Sequence, residues 1–76
     1  MRDKILAKVE AYYEIELKEC ATLEKYCKKY HKDLKAYKDA TIQRGLGVAF
    51  FVQTLGVEYK VIDKIYTDFK EKVDKM

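Results

Sequence analysis

Residues 45–61, GLGVAFFVQTLGVEYKV, hold all three glycines of the chain within a largely apolar run. Leu55, Gly56 and Val57 follow the order that ends many helices, in which a left-handed glycine precedes an apolar residue that packs back onto the last turn. The stretch therefore predicts one helix that ends near residue 55 and another that begins near residue 58. We expect Phe50, Phe51 and Val52 to enter the core.

The two earlier glycines allow two interpretations. Gly45 and Gly47 would together cost a helix interior about 2 kcal/mol relative to alanine, which favours a turn at this point. In the alternative, the helix continues and the glycines mark a place where another helix crosses closely. We predict the turn.

The same glycine-rich run excludes two other functions. A phosphate-binding loop requires GxxxxGK followed by Ser or Thr, whereas leucine or valine follows each glycine here. A membrane span requires about 20 apolar residues, and the apolar run of residues 46–57 is shorter and contains Gln53 and Thr54. We therefore expect no cofactor and no membrane insertion.

A helical period runs through the first 43 residues, in which positions alternately three and four apart are almost all apolar or aromatic. We predict an all-α single domain with a long amphipathic helix at about 3–43 and shorter helices at about 47–55 and 58–75, packed as a hairpin or bundle. Glu16 and Thr41 are the polar positions of the period. The stripe predicted to form the core or a dimer interface consists of Leu6, Val9, Tyr13, Cys20, Leu23, Cys27, Tyr30, Leu34 and Tyr37.

The chain offers few residues for catalysis or metal binding. Cys27 and His31 are four apart and would share a helix face, but Cys20 lies two turns away, so the three do not form a closed tetrahedral site. The chain has no serine or asparagine and a single histidine. We predict no catalytic, cofactor-binding or metal-binding residues. Because the start has no apolar signal-peptide region, we expect a cytoplasmic protein with reduced cysteines.

Positive charge is concentrated in the second half of the predicted first helix. Residues 25–44 carry seven positive and two negative side chains, whereas residues 1–24 carry four and six. Tyrosines at 26, 30 and 37 are expected on the opposite, core side. The candidate interaction face consists of Lys25, Lys28, Lys29, Lys32 and Lys35.

This charge asymmetry is compatible with two kinds of partner, a second copy of the chain or a nucleic acid. An antiparallel pair of first helices would place the acidic start of one copy beside the basic end of the other, which predicts a homodimer. A lysine face without arginine suits weak contact with a nucleic-acid backbone rather than base recognition. We therefore predict a protein–protein interaction module that regulates or inhibits a larger bacterial protein, with nonspecific nucleic-acid binding as the alternative.

The last 35 or so residues contain Arg44-Gly45, Gly47-Val48-Ala49-Phe50-Phe51, the break at Gly56, and a final amphipathic helix that includes Asp68-Phe69-Lys70. In these residue types the chain resembles small helical proteins of low-GC Gram-positive bacteria and their mobile elements. The resemblance implies a bacterial or prophage accessory protein. It assigns no functional residue.

Overall fold

Three α-helices packed as a bundle make up the computed structural model, which describes residues 2–76, with side chains from Asp3 onward. Helix α1 spans Arg2–Tyr30, α2 spans Leu34–Thr54 and α3 spans Tyr59–Asp74. Each helix contacts the other two. The prediction of an all-α fold with a long first helix and shorter helices packed against it is confirmed.

The first helix ends at Tyr30, so the prediction of one helix from residue 3 to residue 43 was wrong. His31 takes a left-handed backbone conformation with φ of 56°. The Lys32 amide then donates to the Cys27 carbonyl at 3.0 Å, the bond that closes a Schellman helix end. Histidine tolerates this conformation better than most residues do, so the chain turns without glycine or proline.

A side-chain cap begins α2 immediately after this turn. The Asp33 carboxylate accepts a hydrogen bond from the Lys35 amide at 3.0 Å, which satisfies one of the free donors of the first helical turn. The period of three and four continues through the break, although Tyr30 and Tyr37 on either side of it are exposed. A continuous period therefore concealed two antiparallel helices.

The predicted turn at Gly45 and Gly47 was also wrong, because both residues lie inside α2. Gly45 is buried against Phe69 of α3, and a Cβ built on Gly45 would lie 2.5 Å from Phe69 Cε2. The alternative interpretation, a close approach of another helix, is correct for Gly45. The cost of glycine in a helix is offset there by packing that a larger residue would block.

The second predicted break is confirmed. Gly56 has φ of 94° and follows the end of α2, and Val57 is buried with 6% of its surface exposed. The third helix agrees with its predicted bounds to within one residue at each end.

The core lies between the three helices, and each of them contributes to it. The buried apolar cluster consists of Val9, Tyr13 and Cys20 from α1, Ile42, Ala49 and Val52 from α2, Val57 from the connection, and Ile62, Phe69 and Val73 from α3.

Candidate functional site

Helix α2 is apolar on two opposite sides. Ala49 and Val52 point into the core with 4% of their surface exposed, whereas Phe50 and Phe51 are 57% and 64% exposed. A helix that is apolar all round is normally covered all round. We define the outer face of α2 as its exposed side opposite the core, formed by Ala36, Ala40, Gln43, Gly47, Phe50, Phe51 and Thr54.

The expectation that Phe50 and Phe51 enter the core is therefore wrong. The rotation of α2 is fixed by its buried residues, above all Gly45, Ala49 and Val52. At about 100° per residue, this rotation turns the two phenylalanines outward. Sequence reasoning missed this surface because a run of apolar residues in a helix does not show which of its sides is covered.

Gly47 lies in the middle of the outer face and differs from Gly45. Among the described residues, and apart from the helix's own backbone, no heavy atom lies within 4 Å of the position that a Cβ would take on Gly47. Its missing side chain therefore serves no contact inside the described chain. It leaves a low point on the helix surface beside Phe50 and Phe51, where a second backbone can approach closely.

The apolar surface continues from the outer face toward the start of α1. Phe51 and the half-exposed Leu55 line one side of a shallow groove of about 370 Å³, and residues of α1 line the other. The α1 residues are Ile5, Lys8, Val9 and Tyr12. Phe51 thus joins the outer face to a mainly apolar groove, and exposed apolar surface of this kind is typical of an interaction site.

Two basic side chains of α2 form hydrogen bonds within the bundle and do not lie over the outer face. Arg44 donates from Nε and Nη2 to Glu16 Oε2 at 3.1 and 2.8 Å, and from Nη2 to Thr41 Oγ1 at 3.2 Å. Lys38 Nζ donates to the Asp74 carbonyl at 3.0 Å. Both cations are therefore turned toward α1 or α3, and the outer face keeps its apolar character.

Glu16 is the buried member of this ion pair, with 6% of its surface exposed. The bond from Arg44 satisfies a carboxylate that would otherwise be costly to bury. The sequence did contain a signal, since Glu16 and Thr41 are the two polar positions in an otherwise apolar period. Both prove to be buried and to contact the same arginine.

Tyr13 connects all three helices at the centre of the bundle. Its hydroxyl donates to the Gly45 carbonyl at 2.8 Å, and its ring stacks on Phe69 with centroids 4.4 Å apart. Burial, together with the neighbouring Tyr66 and Tyr12, raises the pKa of Tyr13 to about 12. These contacts of Tyr13 hold α2 in position along and around its own axis relative to α1 and α3.

We expect stability to fall in alkali through Tyr13. Because its pKa is higher in the folded chain than in the unfolded chain, its contribution is complete below about pH 10 and is lost as the pH rises toward 12. Tyr13→Phe should cost about 1 kcal/mol at neutral pH through the lost hydrogen bond. Urea unfolding from pH 7 to pH 11.5 should show the difference between the two proteins shrinking above pH 10. A constant difference would contradict the expectation.

The five lysines of the predicted interaction face are all exposed, but they do not share one helix face. Lys25, Lys28 and Lys29 lie in α1, Lys32 lies in the connection, and Lys35 lies in the first turn of α2. Lys28 also forms an ion pair with Glu24 at 3.0 Å. The turn after Tyr30 therefore converts the predicted linear face into a basic corner of the molecule.

Two exposed tyrosines lie at this corner, contrary to the prediction that they face the core. Tyr26 and Tyr30 are 43% and 52% exposed, and their ring centroids lie 4.8 Å apart. Lys29 Nζ lies 5.3 Å from the Tyr30 ring centroid. Tyr30 and Tyr37 were predicted in the core or dimer stripe, and both are exposed, so they lie outside the core of this chain. We call Lys25, Tyr26, Lys28, Lys29, Tyr30 and Lys32 the basic-aromatic corner.

The rest of the stripe faces the inside of the chain. Val9, Tyr13, Cys20 and Cys27 are buried, while Leu6, Leu23 and Leu34 are partly buried. Because α2 folds back onto α1, the chain itself covers most of the surface for which we had expected a second α1. These seven positions of the stripe therefore face the core of the chain itself.

The cysteines and the histidine do not converge on a site. Cys20 and Cys27 are free and buried, and His31 lies in the turn beyond the end of α1. Burial raises the pKa of Cys20, which lowers its thiolate fraction and hence its reactivity. Among the described residues, no group of three or more His, Cys, Asp or Glu is placed to hold a metal ion.

Comparisons with known proteins give no family assignment. No protein-family model, curated protein or solved structure matches the chain. Within residues 2–76, no helix has the length and apolar character that a membrane crossing requires. The functional interpretation therefore depends on the surfaces of the bundle.

Proposed function

We propose that this chain is a protein–protein interaction module that binds through the outer face of α2. The exposure of Phe50 and Phe51 near the C-terminal end of that helix carries the proposal. Two adjacent exposed phenylalanines, next to an exposed glycine and an apolar groove, form a surface that a binding partner would desolvate.

The role that suits such a module is regulation or inhibition of a larger bacterial protein. A bundle of 76 residues can act by occupying one surface of a partner. We place it in the cytoplasm, because both of its cysteines are buried as free thiols and that compartment keeps thiols reduced. The bacterial origin comes from the resemblance described above.

Photo-cross-linking in expressing bacterial cells tests the proposed surface. A photoreactive phenylalanine analogue at Phe50 should form a protein adduct on irradiation. The same analogue at Ile15 is the control, because Ile15 on α1 has nearly the same exposure, 55% against 57%. Equal labelling from both positions, or no adduct from Phe50, would contradict the proposed function.

The basic-aromatic corner supports a second candidate function, binding of single-stranded nucleic acid. The exposed pair Tyr26 and Tyr30 favours it, because bases stack on such rings while lysines neutralise phosphates. Cytoplasmic RNA or single-stranded DNA would meet these requirements without sequence recognition.

Titration of a labelled oligothymidine tests this second candidate. Binding should fall steeply with salt, and Lys28→Glu with Lys32→Glu should weaken it at least tenfold while helicity is retained. Lys60→Glu with Lys64→Glu, which makes the same charge change on α3, should weaken it much less. Equal effects of the two pairs would mean that net charge alone attracts the oligonucleotide and that the corner is no site.

A further inference from the structure

We propose that the partner of the outer face of α2 is a second copy of this chain, with the two α2 helices antiparallel. The inference rests on the proposed function, since it names the occupant of the same surface. It moves the predicted homodimer from α1 to α2 and keeps its antiparallel orientation.

The spacing of the outer face is that of a helix-pairing seam. Its central positions are alternately four and three residues apart, which is the heptad spacing of two helices packed side by side. All six are exposed, on the side of α2 opposite the core. They are Ala36, Ala40, Gln43, Gly47, Phe50 and Thr54.

The seam is self-complementary only when the helices are antiparallel. Its positions are symmetric about the midpoint between Gln43 and Gly47. In an antiparallel pair Ala40 faces the partner's Phe50, Gln43 faces the partner's Gly47, and each contact recurs by two-fold symmetry. The large Phe50 side chain thus packs against the small Ala40 side chain of the partner, once on each side of the two-fold axis.

The flanking positions add an aromatic contact. Tyr37 is 38% exposed and Phe51 is 64% exposed, and both lie on the same side of the seam. Antiparallel pairing sets Tyr37 against the partner's Phe51 at each end of the interface. Aromatic pairs of this kind contribute beyond their buried area, and they give a reason for the exposure of Tyr37.

Charge selects the same orientation. The charged residues of α2 are confined to its first half, as Lys35, Lys38, Asp39 and Arg44, and residues 45–57 carry none. A parallel pair would bring the two basic halves together. An antiparallel pair sets Lys35, Lys38 and Asp39 beside the uncharged, apolar half of the partner and also opposes the two helix dipoles. Arg44 lies near the two-fold axis in this pairing, where the Glu16 carboxylate of its own chain neutralises it.

One helix from each chain gives an interface at the small end of the range for specific complexes. We therefore expect a dimer that dissociates at micromolar concentrations. Because its seam carries no charge, the dimer should survive a change from about 0.15 M to about 1 M salt, over which the Debye length falls from about 8 Å to about 3 Å. A dimer held by the acidic and basic halves of α1 would weaken instead.

Light scattering of the full chain measures the predicted association. The natural chain should be dimeric at both salts, and Phe50→Glu should raise the dissociation constant at least a hundredfold. Ile15→Glu is the matched control and should leave the constant within about twofold. A natural chain that remains monomeric at about millimolar concentration, or equal effects of the two variants, would overturn self-pairing.

Cysteine cross-linking tests the orientation. In an equimolar mixture of Ala40→Cys and Phe50→Cys chains, mild oxidation should join one chain of each kind. Cys20 and Cys27 are buried and should not compete. Links between two Phe50→Cys chains, or absence of the mixed link, would contradict the antiparallel seam. If Phe50 forms photo-adducts only with other proteins, self-pairing fails while the proposed interaction function stands.

Discussion

Replacement of Gly45 by alanine should lower the free energy of unfolding by about 1 to 3 kcal/mol. In a helix interior, alanine is ordinarily the better residue by about 1 kcal/mol. The expected sign is reversed because the new methyl group would lie 2.5 Å from Phe69 Cε2 and 3.0 Å from Phe69 Cδ2. Phe69 has little room to yield, since it is 2% exposed and stacked on Tyr13.

Gly47→Ala is the matched control, two residues further along the same helix. The space around Gly47 is open, so this change should raise the free energy of unfolding by about 0.5 to 1 kcal/mol. Urea unfolding followed by circular dichroism compares the two variants under identical conditions. Stabilisation by both substitutions would mean that Phe69 does not pack on Gly45 as described.

Arg44→Met should lower the free energy of unfolding by about 2 kcal/mol. The change leaves the Glu16 carboxylate buried without the guanidinium that now donates two hydrogen bonds to it. Loss of one partner of a fully buried pair costs about 3 to 5 kcal/mol. The expected cost is smaller here because 46% of the Arg44 side chain is exposed and water can replace part of the contact.

A double variant separates the cost of an unpaired charge from the loss of packing. Glu16→Leu together with Arg44→Met removes both charges, and it should recover about 1 kcal/mol or more relative to Arg44→Met alone. Lys38→Met serves as the control on the same helix and should change stability by less than about 0.5 kcal/mol. If the double variant is as unstable as the sum of its single changes, the ion pair is not coupled.

The helical class of the fold and most of its core follow from the sequence period. Val9, Tyr13, Cys20 and Cys27 were predicted at core positions and are buried. The end of α2 was predictable as well, because glycine at Gly56 reports a left-handed backbone directly. The helical period and the helix end at Gly56 depend on residues close together in the chain, so both can be predicted from residue spacing and local backbone preference.

The fold-back at His31 was not predictable from the same signals. A histidine in a left-handed conformation leaves no strong mark in sequence, and the Asp33 cap is an ordinary residue among lysines. The prediction of a turn at Gly45 was wrong for a different reason. Its place inside a helix is decided by Phe69, which is distant in sequence and becomes its neighbour only when α3 packs against α2.

The candidate site depended on both of these errors. With a helix predicted to residue 43 and a turn at Gly45 and Gly47, Phe50 and Phe51 fell in a short helix whose apolar residues were all assigned to the core. The fold-back adds thirteen residues, 34–46, to the start of the predicted second helix, and the rotation of α2 is fixed through Gly45, Ala49 and Val52. The outer face exists only as a result of that rotation.

Two-dimensional NMR of the ¹⁵N-labelled chain over about a hundredfold dilution tests the central claim, that the outer face of α2 pairs with a second copy of the chain. We predict concentration-dependent shifts at Ala40, Gly47, Phe50 and Phe51, with the amide of Ile15 unchanged. Shifts confined to α1 or to the basic-aromatic corner would contradict the account, as would spectra that do not change with concentration.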